Sequence, residues 1–169
     1  LVELRKAVAL DPTDAAAHRA LAEGLQTGEE AIAEYRAAIH LAPTDSYSRI
    51  ELGKLLLVRT EKDVPGAMRE FQAAVRIDPK NPQAHVRLGF AFEDELGQMD
   101  KAIEEYRKSV DLGSDGLPPP LPFRVGLLSH ALAKIGKRKE AAKVIRDYLK
   151  SEPEDEAFFH ERLLELERE

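Results

Sequence analysis

The chain has 169 residues, of which 43% are hydrophobic and 33% charged, with 25 basic and 31 acidic side chains for a formal charge of −6. That content can bury a continuous core in one elongated domain, and the acidic balance disfavours nucleic acid, which calls for a basic stripe to displace counterions from phosphates. The absence of cysteine excludes disulfides, thiolate zinc and thiol catalysis; no run approaches the roughly 18 apolar residues of a membrane span, and no basic-then-apolar leader opens the chain.

Leu1, Leu4 and Val8, with Ala7, form an apolar face at helical spacing, and Asp11-Pro12 ends this helix because the residue before a proline avoids the α region. The chain opens without an initiator methionine and this helix has no partner ahead of it, so it reads as the second half of a unit that continues upstream. Leu1, Leu4 and Val8 are then expected to be exposed, and to support self-association through this N-terminal helix. Thr13 or Asp14 offers an N-cap for a helix from about Ala15 to Gln26, with Leu21 and Leu25 inward and Ala22 at a close-contact position. Thr27-Gly28 turns the chain into Glu29 to Ala42. Asp45 or Ser46 caps the next helix, whose inner face is Leu52, Gly53 and Leu56, with Gly53 admitting a neighbouring backbone. After a longer turn, Arg59 to Gly66, Pro65 suits the first turn of a helix that carries Ala67, Phe71 and Ala74 and ends at Asp78-Pro79. A further pair places Leu88, Gly89 and Phe92 inside its first helix, turns at Gly97, and continues through Ala102, Ile103 and Tyr106.

Gly113 to Pro122, GSDGLPPPLP, breaks the composition. Pro118 to Pro120 favour a stiff polyproline stretch, read as a spacer that weakens the junction it spans; a PPLP motif of the kind WW domains bind is the alternative. A last pair, Pro122 to Ile135 and Glu140 to Lys150, closes at Pro153. A terminal helix from Asp155 or Glu156 turns Phe159, Leu163 and Leu166 onto the array and Glu161, Glu165 and Glu167 to water.

Aligned, the second helices repeat one pattern: Ala31, Tyr35, Ala38, Pro43; Ala67, Phe71, Ala74, Pro79; Ala102, Tyr106, Ser109; Ala141, Ile145, Tyr148, Pro153; and, ahead of these, Leu4, Ala7, Pro12. Leu4, Tyr35, Phe71, Tyr106 and Ile145 are spaced by 31, 36, 35 and 39 residues, the period of stacked helical units. With Leu52-Gly53 and Leu88-Gly89 in the first helices, the chain resembles the tetratricopeptide repeat family. The resemblance implies an all-α, right-handed superhelical solenoid of antiparallel helix pairs forming one domain over residues 1–169: a partial unit 1–12, units 13–44, 45–80 and 81–113, a proline-rich linker 114–121, a unit 122–153 and a capping helix 154–169. It departs from the pattern at Gly113-Ser114, where a proline belongs, and at Ile145 and Tyr148, where an aromatic and a small residue belong.

Phosphate-cradling glycine motifs, HExxH, calcium-loop spacing and a GxSxG elbow are all absent. His18 and His85 occupy equivalent positions and read as packing residues. His160 sits among carboxylates at a solvated helix start, and Glu93, Asp94 and Glu95 form an electrostatic feature. No metal, cofactor or enzymatic activity is expected. In the family that the chain resembles, the faces of the first helices turned away from their partners line a concave groove. Here that stripe carries apolar groups where water would be expected, which marks a binding surface. The residues assigned to the groove are Tyr47, Ile50, Lys54, Leu57, Val86, Arg87, Phe90, Phe123, Leu127 and His130. The sole asparagine is Asn81, in a turn, and Glu23 stands where a two-carboxylate clamp would need its first asparagine, so acidic C-terminal tails of heat-shock chaperones are not expected ligands. The reading is a non-enzymatic protein-protein interaction scaffold that binds a peptide or helical segment of a partner. The alternative is a partner-recruiting arm of a larger enzyme whose catalytic domain lies outside this chain.

Overall fold

A computed structural model describes residues 1–113 and 118–168. Among the described residues all regular structure is helical. The helices are α1 (Val2–Leu10), α2 (Ala15–Leu25), α3 (Gly28–Leu41), α4 (Ser46–Val58), α5 (Val64–Ile77), α6 (Pro82–Phe90), α7 (Met99–Asp111), α8 (Leu121–Lys134), α9 (Arg138–Leu149) and α10 (Glu156–Glu167). A π-helical turn, Ala91–Glu95, continues α6, and a short 3-10 turn, Pro153–Asp155, precedes α10. The chain divides into two compact units, Leu1–Lys80 and Asn81–Glu169. In the first, α2 pairs with α3 and α4 with α5, while α1 lies on α2 and α3 on α4. In the second, α6 pairs with α7 and α8 with α9; α7 packs on α8, and α10 on α9.

The helix boundaries follow from local chemistry. Asp14, Asp45, Asp63 and Asn81 each accept a backbone N–H of the first turn, satisfying donors that the helix itself leaves open. At the other end, Asp11, Ala42 and Asp78, each followed directly by proline, donate to the carbonyls of Ala7, Ala38 and Ala74. In α1, α3 and α5 the repeated small residue thus accepts the capping N–H, and the proline beyond it prevents further helical growth.

In the α4–α5 and α6–α7 pairs a glycine notch receives an aromatic ring. A Cβ on Gly53 would stand 2.5 Å from Cε1 of Phe71, and one on Gly89 would likewise meet the Tyr106 ring. The group that Gly53 admits is therefore the ring of its own partner helix, not a neighbouring backbone. Phe71 is 1% and Tyr106 0% exposed, and burying a ring of this size contributes roughly 1.5–3 kcal/mol.

Beside each notch runs a cross-helix polar pair. His18 Nδ1 lies 2.6 Å from Glu34, Arg49 donates to Glu70 at 2.8 Å, and His85 Nδ1 lies 2.7 Å from Glu105. The three basic residues are at equivalent positions of α2, α4 and α6, and each carboxylate immediately precedes the aromatic landmark. Partial burial works against charge on His18, but Glu34 and the Pro12 carbonyl, 3.1 Å from Nε2, outweigh it and hold the imidazole above its ordinary value. Burial likewise pushes Glu105 up, and the hydrogen bonds from His85 and Lys108 reverse it to a value below the usual carboxylate range. The packing role expected for the two histidines is thus a paired, polar one. In the last pair the equivalent positions are Val125, buried, and Val144, half-buried.

That last pair is built differently. Arg124, 1% exposed, reaches from α8 to the end of α7, where its guanidinium donates to the carbonyls of Ser109 and, at 2.6 Å, Gly113. A buried core runs without a break from Ala102, Ile103 and Tyr106 through Val125, Leu128 and Leu132 to Ile145, Phe159 and Leu166. The junction expected to be weak is therefore bridged by a cation and by continuous apolar packing. Residues 114–117 of the expected linker lie outside the described residues. Leu121 and Pro122 already belong to α8, so the PPLP segment is not the fully extended strand that the WW-domain alternative requires.

At the ends, Leu4 and Val8 are half-buried, because Leu1 and Leu4 lean over Gly24 of α2, where a Cβ would stand 2.9 Å from Leu4 Cδ1. Full exposure is confined to Leu1, Val2 and Leu10 among the large apolar residues of α1 and its N-cap. On α10, Phe159 and Leu166 are buried as expected, Leu163 is half-buried, and Tyr148 meets Phe159 edge-on at 5.6 Å.

Candidate functional site

In the first unit the open face of α4 carries Tyr47, Lys54 and Leu57. Tyr47 is 42% exposed, Leu57 is half-buried, and Lys54 donates to Glu51 at 2.5 Å. Nearby on α2, Arg19 bonds Asp45 at 3.3 Å and lies 3.8 Å from Glu23. Partial burial, with Glu51 and Glu23 adding to it, raises the Tyr47 hydroxyl pKa, so this phenol stays a neutral donor. Ile50 does not share the face. It is 0% exposed and belongs to the core, because stacking covers both flanks of a first helix and leaves only the outermost positions of the stripe open.

The second unit gathers more of the expected residues. Gln83, Val86, Arg87, Phe90 and Phe123, with Pro118, Pro119 and Pro120, line a cleft of about 290 Å³. Phe123 is 47% exposed at its rim. Phe90 is half-buried with its ring edge-on to Tyr106 at 5.7 Å, and Val86, 2% exposed, is floor and not open face, a correction to its expected placement. Arg87 supplies the positive charge; its Nε is buried and has no hydrogen-bond partner among the described residues. Leu127 is half-buried and His130 exposed on α8, and neither lines the cleft.

One wall of the cleft lies outside the stripe read from the sequence. The three prolines read as a spacer form a wall of the cleft. Glu93, expected in a solvated acidic run, has a side chain only 10% exposed. The π-helical turn holds Glu93 where it accepts from the Tyr106 hydroxyl at 3.0 Å and from Lys134 Nζ at 2.9 Å, while Asp94 lies beside it in the same turn. Burial, and then the Glu93 carboxylate, push the Tyr106 phenol far above its usual pKa. The arrangement is a largely apolar cleft beside one arginine whose buried Nε lacks a partner among the described residues; among the described residues no cluster of three His, Asp or Glu could hold a metal. No described helix is long and apolar enough to cross a membrane.

The tetratricopeptide repeat family model matches residues 25–82 and 56–116, more than half of the chain. Among solved structures, MamA is 24% identical at a TM-score of 0.72, with 90% of this chain and 86% of MamA covered. YrrB, described as a TPR protein with an unusual peptide-binding site, is 20% identical at 0.67, covering 89% of this chain and 75% of YrrB. A thermophilic TPR protein of Thermus thermophilus is 19% identical at 0.65, with 96% of this chain and 86% of that protein covered. No curated protein matches the chain at a significant level. At these identities the likeness is one of fold: stacked helical hairpins, the architecture of protein-interaction scaffolds. With its small–aromatic–small landmarks, its glycine notches and the family model all in register, the chain belongs to the tetratricopeptide repeat family.

Proposed function

We propose that this scaffold binds segments of a protein partner, extended or helical, on the open faces of its first helices: in the second unit through the Arg87–Phe90–Phe123 cleft and, separately, in the first through Tyr47, Lys54 and Leu57. The observation that carries the reading is the cleft itself: aromatic and proline walls beside an arginine whose buried Nε has no acceptor among the described residues. A bound segment supplies what the cleft lacks, an apolar side chain against Phe90 and Phe123 and a carbonyl or carboxylate for Arg87. Desolvated aromatic anchors dominate such interfaces at about 2 kcal/mol or more each. Leu127 and His130 extend the same side of α8 as rim. The acidic balance of the chain gives nucleic acid no part in this reading.

The test is a displayed random-peptide library selected against the full chain, followed by affinity measurements on the recovered sequence. Phe123→Ala is expected to weaken binding about tenfold with unchanged melting, since its ring is half in solvent. Phe90→Ala should weaken binding and lower stability together, because its ring also supports Tyr106. Lys54→Ala should do little, as that ammonium is already held by Glu51. Affinity unaffected by both phenylalanine changes, or abolished by modest salt, would place the ligand elsewhere.

Self-association through α1 belongs to the same reading, carried by Val2 and Leu10, which are 68% and 87% exposed. Light scattering on wild type and Leu10→Glu tests it; a monomer in both refutes it.

A further inference from the structure

Between residues 134 and 146 the sequence places six basic side chains against one acid, in a chain that is acidic overall. Lys139, Lys143, Arg146 and Lys150 fall at i, i+4, i+7 and i+11 of α9 and its C-cap, a basic stripe of about 16 Å at the helical rise. Lys137, Arg138 and Lys139 crowd the start of α9, where the helix dipole favours acids and no side-chain cap is made. A local rule broken in this way points to a role other than holding the helix. Neither Lys139 nor Lys143 makes a side-chain hydrogen bond or close ion pair among the described residues.

The stripe borders a notch of about 460 Å³ between α9 and α10, with Ala142 and Leu166 as an apolar floor and Arg138, Lys139, Arg146 and Arg168 as a cationic rim. Two of these cations are engaged by the chain itself: Arg138 donates to the Glu165 carbonyl, and Arg146 to the Glu167 carboxylate. The rim thus already takes one carboxylate in cis, leaving Lys139 and Arg168 of the rim, and Lys143 one turn further along the stripe, for others.

We propose that this notch is a second protein-docking site, separate from the cleft, and that its occupant is an acidic amphipathic helix or segment of a partner protein, with carboxylates on the lysines and an apolar side chain against Ala142 and Leu166. Charge complementarity selects the occupant. A polyphosphate backbone would run its charges past Glu165, Glu167 and Asp147 beside the cations. A lipid surface calls for apolar groups that project, and here the apolar floor is recessed. Separate carboxylates interleaved with those acids fit both features.

The experiment uses the full chain and a fluorescein-labelled synthetic peptide of about 16 residues, four helical turns, made of glutamate and leucine with the leucines on one helical face. Controls are a shuffled peptide of the same composition, a single-stranded oligonucleotide of similar charge, and phosphatidylserine-containing vesicles. The amphipathic peptide is expected to bind, to lose about tenfold or more in affinity with Lys139→Glu/Lys143→Glu, and to bind normally with Lys139→Arg/Lys143→Arg and with Phe123→Ala. Both lysines are exposed, so melting temperatures should be preserved. Undiminished affinity in the charge-reversed variant, equal binding of the shuffled peptide, or preference for oligonucleotide or vesicles overturns the proposal. Loss through Phe123→Ala in place of the lysine changes would also overturn it, by moving the peptide to the cleft.

Discussion

At the scale of single residues, the cross-helix pairs make the fold sensitive to pH in a defined direction. His18 has a folded pKa above the unfolded value near 6.5, so its pair with Glu34 contributes fully below that pH and fades as pH rises through the folded value. Wild type should lose more stability than Glu34→Gln as pH rises from the unfolded His value through the folded one, and the His18 ring titration followed by NMR should move down in Glu34→Gln. A titration identical in the two proteins would refute the pairing. The glycines separate by the same physical reasoning. Gly53→Ala gains roughly 1 kcal/mol of helix propensity but forces the Phe71 ring aside at roughly 1–3 kcal/mol, so it should destabilise. Gly126→Ala meets nothing within 4 Å and should stabilise by up to about 1 kcal/mol. Chemical denaturation of the two variants decides both signs.

At the scale of elements, Arg124 replaces in the last pair what the other pairs obtain from sequence pattern. The N-cap of α8 is Pro120, with no side-chain bond, and the positions of the polar pair hold Val125 and Val144. Arg124→Met should therefore remove the bond between α8 and the end of α7, each charged hydrogen bond being worth about 1.5–3 kcal/mol. Hydrogen exchange should then show α8 to α10 opening before α6 and α7, where wild type opens them together. Equal protection of all five helices in the variant would show that apolar packing alone holds the junction. None of this could be read from the chain. Arg124 stands in the predicted helix just after the proline-rich spacer, where nothing in the pattern sets one arginine apart, and only the fold brings it to the end of α7.

At the scale of the molecule, the architecture was legible because its determinants are short-range and recur. Small, aromatic and small residues set each pairing, and an aspartate or asparagine and a proline mark most helix ends. The candidate face was legible in part. Phe90, Phe123 and Arg87 line one cleft, but Ile50 and Val86 lie on flanks that stacking buries, and one-helix periodicity carries no information on how far a neighbour covers it. The basic stripe of α9 was hidden by the net charge, which averages a local cationic edge into an acidic whole. The cleft and the notch have no lining residue in common, so their variants should act independently. Combining Phe123→Ala with Lys139→Glu/Lys143→Glu should weaken each ligand no more than the single-site change does, and simultaneous titration of the two peptides would detect any coupling.

A chain made of near-copies carries a hazard that a globule does not: a first helix can close on the second helix of the wrong copy. The notch and its occupant differ from pair to pair, Ala22 with Tyr35, Gly53 with Phe71, Gly89 with Tyr106 and Ser129 with Ile145. A tyrosine or phenylalanine ring brought against Ser129 would collide with its side chain, and Ile145 set against Gly53 would leave a hollow where a ring belongs. The interlock that joins each hairpin would therefore also disfavour exchange of helices between the last pair and the glycine-notched ones.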